Sequence, residues 1–282
     1  MKIQLAKSAG FCFGVKRAIN ITLETTKKTS NKNNIYMLGD IVHNEEVIKT
    51  IKKSGIKKIE KLTKGTNKIL LIRAHGTTID IIEKAKELGY NIIDATCPMV
   101  KDIHKKAKEL ESENYKIIII GEKKHDEIKG IVGQLKNTPI IANKKSDLYK
   151  INIKKNDKIG IIVQSTYNIE KALDIVDTFK KKNNNKIKFY NTICLPTRTK
   201  QVETKNLALK NNTIFVIGST TSANTKRLYN ISKKFNKKTY WIQTKKDIKK
   251  SWLKNIEKIG ITAGASTPNT IIQEIIDYLK KQ

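Results

Sequence analysis

Only three cysteines occur in 282 residues, aromatic side chains make up 6%, and acidic residues are outnumbered by basic ones, 26 to 57. An odd, sparse cysteine set cannot close a disulfide framework and fits reduced thiols in a cytoplasmic protein. No run approaches the roughly 20 consecutive apolar residues of a membrane helix. The opening residues, MKIQLAKSAGFCFGV, lack a secretory apolar core followed by a small-residue cleavage site. The chain is therefore read as cytoplasmic, with no membrane partner. There is no CxxC pair and no HExxH helix, which weakens zinc as the metal. Neither a Walker loop nor a GxGxxG after the first strand is present, so nucleotide binding has no specific support.

What is abundant is lysine, and with it a formal net charge of +31. A dedicated nucleic-acid surface shows clustered arginine with interleaved aromatics. Here the excess is spread in pairs such as Lys27-Lys28 and Lys52-Lys53 over nearly every helical pattern, beside an equally general richness in Ile and Asn. Nucleic acid is accordingly set aside as the main partner. A field this positive still attracts anionic substrates and acidic redox partners.

Short β-branched runs at 35–38, 69–72, 117–120, 159–163, 214–217 and 259–262 alternate with amphipathic, lysine-faced helical patterns. This alternation predicts parallel sheets covered by helices, and continuous runs such as IIII and IGIIV predict strands buried on both faces. The fold class is α/β, in three small domains: 1–96, 97–193 and 194–282. The first carries Cys12, His43 and His75, the second Cys97, His125 and Glu127, and the third Cys194 with the loops of Ser222, Asn224 and Ser266.

Each cysteine follows a short apolar run and precedes a helical stretch, in GFCFGVKRAI, DATCPMV and NTICLPT. A lone intracellular cysteine is ordinarily a small buried hydrophobe. Three at strand-to-helix junctions, where a helix N-terminus favours the thiolate, suit either an iron–sulfur cluster with one iron left open or a metal with a vacant position. Three of the four histidines, His43, His75 and His125, also fall at strand exits, as do the small-residue loops GSTTSAN and AGAST. In open α/β sheets ligands bind beyond these strand ends. Backbone N–H groups with Ser, Thr, Asn and His donors there predict a phosphate or diphosphate site. His104 falls inside a helical stretch and is read as structural. Glu127, two residues after His125, is either a favourable charge at a helix start or a general acid whose pKa an anionic cluster and substrate would raise.

GFCFGVKRAI, VHNEEV, AHGTT, DATCP, HDEIKG, VQST, TICLPT, GSTTSAN and TAGASTP occur in this order. Together they resemble the 4-hydroxy-3-methylbut-2-enyl diphosphate reductases, the last enzymes of the methylerythritol phosphate route to isoprenoids, over nearly the whole chain. The resemblance implies a pseudo-threefold trefoil of mainly parallel α/β domains around a central iron–sulfur site. It implies a 4Fe–4S cluster held by Cys12, Cys97 and Cys194, with one iron open to substrate. It implies reductive removal of an allylic hydroxyl, with isopentenyl and dimethylallyl diphosphate as products and a ferredoxin or flavodoxin as electron donor. By motif match the substrate is held by His43, His75, His125, Ser222, Ala223, Asn224 and Ser266. Glu127 delivers a proton, and Ser165 orients the substrate hydroxyl. The chain is read as a monomer.

Some positions depart from that pattern. Ser165 stands where the family usually has threonine, Ala223 where many relatives have serine, and Asp126 where proline is usual. Asn191, Pro196 and Lys200 alter the surroundings of the third cysteine. No implied ligand, histidine or glutamate is missing.

Overall fold

In the computed structural model, which describes residues 1–30 and 34–282, the strand β1 (Lys2–Leu5) leads to Cys12 and the helix α1 (Phe13–Lys28). Four strands then form one sheet: β2 (Ile35–Leu38), β3 (Lys57–Ile59), β4 (Lys68–Ile72) and β5 (Tyr90–Asp94), in the order β3-β2-β4-β5. A second sheet holds β6 (Tyr115–Ile120), β7 (Ile140–Ala142), β8 (Lys158–Val163) and β9 (Lys186–Phe189), ordered β7-β6-β8-β9. The third takes β10 (Thr213–Ile217), β11 (Thr239–Ile242) and β12 (Lys258–Ala263), ordered β11-β10-β12-β1. Every strand pairing among the described residues is parallel. The three parallel-sheet α/β layers expected from the sequence are present, with one strand order in all three.

The first domain boundary differs from expectation. Residues 1–96 were expected to form one domain, but β1 pairs with β12 in the register Lys2↔Lys258 to Leu5↔Ile261. The C-terminal segment has only three strands of its own, and β1 supplies the fourth. Cys12 thus follows the last strand of the third sheet, as Cys97 follows β5 and Cys194 follows β9. The chain divides into two compact units. One comprises Met1–Lys16, Val42–Thr50 and Leu195–Gln282 with the third sheet; the other comprises Arg17–Ile41 and Ile51–Cys194 with the first two.

The inner strands are apolar on both faces because helices cover both. In the second sheet, Ile118, Ile120, Ile159, Ile161 and Val163 pack with Ala172, Ile175, Val176 and Phe179 of α6 (Ile169–Lys182). The alternate residues Ile117, Ile119 and Ile162 pack on the other face with Ile103, Ala107 and Leu110 of α4 (Pro98–Ser112) and with Ile128 and Ile131 of α5 (Asp126–Val132). The apolar positions of α6 recur at helical spacing, Asn168 caps its start by accepting from the Lys171 N–H at 2.8 Å, and three lysines close its last turn. Among the described residues no helix is long and apolar enough to cross a membrane.

Candidate active site

Six of the expected site residues lie in the unit that holds the first two sheets. His75 follows β4, and the next residue, Gly76, has φ +75°, a conformation that a side chain would strain. A Cβ at Gly76 would also come within 2.9 Å of His104 Cε1. His125 follows β6 and caps α5, its Nδ1 accepting the Glu127 backbone N–H at 3.1 Å. A neutral imidazole that accepts at Nδ1 carries its proton on Nε2. Its ring stands edge-on to that of His75, centroids 5.6 Å apart at 80°. Contacts from α5 and from the turn after it reach the segment around His75. Arg73 Nη1 donates to Asp126 Oδ2 at 2.6 Å, and Gln134 Nε2 donates to the Thr77 carbonyl at 2.9 Å.

Glu127 is 1% exposed. Ser165, at the exit of β8, donates its backbone N–H to Oε1 at 2.5 Å and its hydroxyl to Oε2 at 2.6 Å. A buried carboxyl requires such partners to be tolerated. The Ser165 carbonyl in turn accepts the Cys194 N–H at 3.1 Å, and Cys97, the N-cap of α4, donates its N–H to the Ala74 carbonyl at 3.0 Å. The backbone thus ties Cys97 to the exit that carries His75, and Cys194 to the exit that carries Ser165.

The remaining expected residues lie in the other unit and are linked in the same way. Cys12 donates its N–H to the Ala265 carbonyl at 3.1 Å. The neighbouring Ser266 hydroxyl donates to the His43 carbonyl at 2.8 Å. Ser222 caps α8 (Ala223–Phe235), its Oγ accepting from the Thr225 N–H at 3.2 Å. Ala223 and Asn224 open that helix, where backbone N–H groups lack intrahelical acceptors. Asn224 is 5% exposed, and among the described residues neither atom of its side-chain amide has a hydrogen-bond partner. Such a group costs about 1–3 kcal/mol unless a ligand satisfies it. Gly218 and Gly264 let the β10 and β12 exits close on this turn, since a Cβ would lie 2.6 Å and 2.1 Å from Thr225 Oγ1.

His104 sits in α4, its ring against Gly76 in the loop after β4. Burial, reinforced by Lys108 and Lys101 against the opposing pull of Asp94, lowers its pKa to about 4, so the ring is neutral at pH 7. It borders a cavity of about 700 Å³, with Thr77, Asp94, Lys101 and Gln134, and none of the expected site residues lines that cavity.

Two supporting residues escaped the sequence reading. Arg73, two places before His75, is the partner of Asp126 and gives that departure from proline a role. Lys200, noted only as a change near the third cysteine, is 2% exposed on α7 (Leu195–Lys210). Its Nζ donates to the carbonyls of Ser8, of Gly10 at 2.9 Å and of Ala263 at 3.3 Å, holding the loop before Cys12. The available signal was a lysine set among Thr197, Gln201 and Thr204, a polar face where an inward face should be apolar.

A family model described as LytB protein matches residues 3–280. A 4-hydroxy-3-methylbut-2-enyl diphosphate reductase of Dictyoglomus thermophilum is 39% identical over 281 residues, covering 99% of this chain and 96% of that protein. One from Wolbachia pipientis wMel is 37% identical over 290 residues, covering 99% and 92%. Among solved structures, the E-1-hydroxy-2-methyl-but-2-enyl-4-diphosphate reductase of Plasmodium falciparum superposes with a TM-score of 0.93 at 33% identity, over 98% of this chain and 87% of that one.

Proposed function

The chain belongs to the LytB protein family, and from that premise we propose that it reduces (E)-4-hydroxy-3-methylbut-2-enyl diphosphate to isopentenyl and dimethylallyl diphosphate. It is an oxidoreductase. The observation that carries the reading is the buried Glu127–Ser165 pair, a carboxyl joined to a hydroxyl at a strand exit beside two histidines.

Cys12, Cys97 and Cys194 would hold a 4Fe–4S cluster. Three half-buried thiols, none in a disulfide and each at the start of a helix, are a donor set that supports this assignment. Bound there, the cluster supplies electrons and a Lewis-acidic iron with a vacant coordination position.

The protein's own part is to hold an anion and move a proton. The diphosphate is received by His43, His75, the Nε2–H of His125, the Ser222 hydroxyl, the Ala223 N–H, the Asn224 amide and Ser266. The unsatisfied amide of Asn224 gives this assignment its strongest support. Ser266 also fixes His43 through its carbonyl. When Glu127 is protonated the hydrogen bond to Ser165 reverses: Oε2–H donates to Ser165 Oγ, the Ser165 hydroxyl proton goes to the departing oxygen as the Glu127 proton replaces it, and that oxygen leaves as water. The Ser165 N–H keeps Oε1 in place throughout. Two electrons and two protons are consumed, the second proton adding to either end of the allylic system. A ferredoxin or flavodoxin supplies the electrons.

Glu127→Gln tests the proton role. The variant keeps an acceptor for the Ser165 N–H but has no acidic proton to give. Substrate affinity should stay within about threefold while turnover falls at least roughly a hundredfold, the scale of lost general acid catalysis. Near-normal turnover would return Glu127 to the role of a charge that favours its helix.

A further inference from the structure

Helix α7 lacks the apolar inward face of an ordinary amphipathic helix. Its inward face is largely polar, burying Thr197, Lys200, Gln201 and Thr204 beside Leu207 and Ala208. Its outward face carries Leu195, Val202 and Leu209, which are 66%, 57% and 61% exposed. Seven residues fall only about 20° short of two full turns, so these side chains align in a stripe about 21 Å long, with the exposed Thr199 and Asn206 set between them on the same face. Arg198 and Lys205, each three positions after a stripe residue, line one flank.

The stripe starts at the residue that follows Cys194, one peptide unit (about 3.8 Å between Cα atoms) from a ligand of the cluster in the reading above, on which this inference rests. We propose that the stripe is the docking face for a small acidic protein that carries one electron at a time. In each encounter the carrier is oxidised by one electron and the cluster is reduced by one; two encounters supply one turnover. Three apolar side chains are too few for a stable dimer interface but suit the small, short-lived contact of an electron carrier. A net charge of +31 repels a second copy of the chain and draws in an acidic protein, which the Arg198 and Lys205 flank would orient.

The test uses the cluster-loaded full chain without oxygen, mixed in a stopped-flow instrument with reduced ferredoxin, with reduced flavodoxin and, separately, with dithionite. A Val202→Asp/Leu209→Asp variant should be reduced at least about tenfold more slowly than wild type by at least one protein carrier, and within about twofold of wild type by dithionite. Arg198→Gln/Lys205→Gln should slow that carrier about threefold or more and flatten the salt dependence of its rate. Wild-type rates with both carriers in both variants would overturn the docking face while leaving the proposed function standing. Equal slowing with dithionite would overturn it too, assigning the stripe to the fold. A wild-type dimer that the Val202→Asp/Leu209→Asp variant dissociates would make a second copy the occupant. A wild-type chain that takes up no cluster would remove the proposed function first, and the docking face with it.

Discussion

Asn224 is buried and His104 half-buried, and their polar atoms meet different surroundings. Among the described residues the Asn224 amide has no hydrogen-bond partner at the start of α8, which costs stability and, in the proposed function, readies a donor for an anion. Asn224→Ala should weaken diphosphate binding about ten- to a hundredfold, the worth of a hydrogen bond to a charged group. The variant should be about as stable as wild type, because no hydrogen bond of the amide within the protein is lost. Calorimetric titration with inorganic diphosphate beside a urea unfolding curve checks both halves. His104 is held neutral by burial, its pKa lowered to about 4. The unfolded chain takes up a proton there below about pH 6.5 and the folded chain does not. The ring's contribution is therefore complete above about pH 6.5 and is lost as pH falls toward 4, a loss of at most roughly 3 kcal/mol. Urea unfolding between pH 7 and pH 4 should show a shallower acid loss in His104→Gln than in wild type; equal slopes would contradict the assignment.

The elements legible in the sequence were those whose environment is uniform. The six β-branched runs correspond to β2, β4, β6, β8, β10 and β12, which are the inner strands of the three sheets. Edge strands were harder. β1, β5 and β9 were visible only as short apolar runs before a cysteine, and β3, β7 and β11 were not seen. An edge needs one apolar face at most and tolerates lysine, so Lys57-Lys58-Ile59 carries no strand signal. Strand exits and helix starts could be read because small residues and caps mark them, and the expected site residues stand there. Lys200 could not be read, since its acceptors are backbone carbonyls from Ser8 to Ala263, contacts that side-chain patterns do not encode. Lys200→Met preserves much of the volume but strands buried carbonyls, so a loss of about 2–3 kcal/mol is expected by urea unfolding. Faster labelling of Cys12 by a thiol reagent should accompany it. A variant with wild-type stability and labelling rate would show that the Cys12 loop does not depend on this lysine.

Across the whole molecule, one plan recurs. Each sheet places its fourth strand beside its third, and a cysteine and a helix follow that fourth strand. Only the third sheet borrows its fourth strand from the other end of the chain. The repeat even leaves a trace in sequence, because Lys-Ile-Gly-Ile opens both β8 and β12. In each strand the glycine admits a neighbour that a Cβ would strike, Leu110 at 2.8 Å from Gly160 and Ile214 at 2.7 Å from Gly260. Three cysteines placed alike and the anion site proposed at the strand exits lead to one central claim, that electrons delivered to this protein break an allylic C–O bond. The direct measurement is product analysis under anaerobic conditions, using the cluster-reconstituted chain, (E)-4-hydroxy-3-methylbut-2-enyl diphosphate, and dithionite with a viologen mediator present or withheld. Isopentenyl and dimethylallyl diphosphate should form only when the reductant is present, from protein carrying about four irons and four sulfides per chain. Equal turnover without reductant, or no turnover by the fully loaded chain with it, would contradict the account.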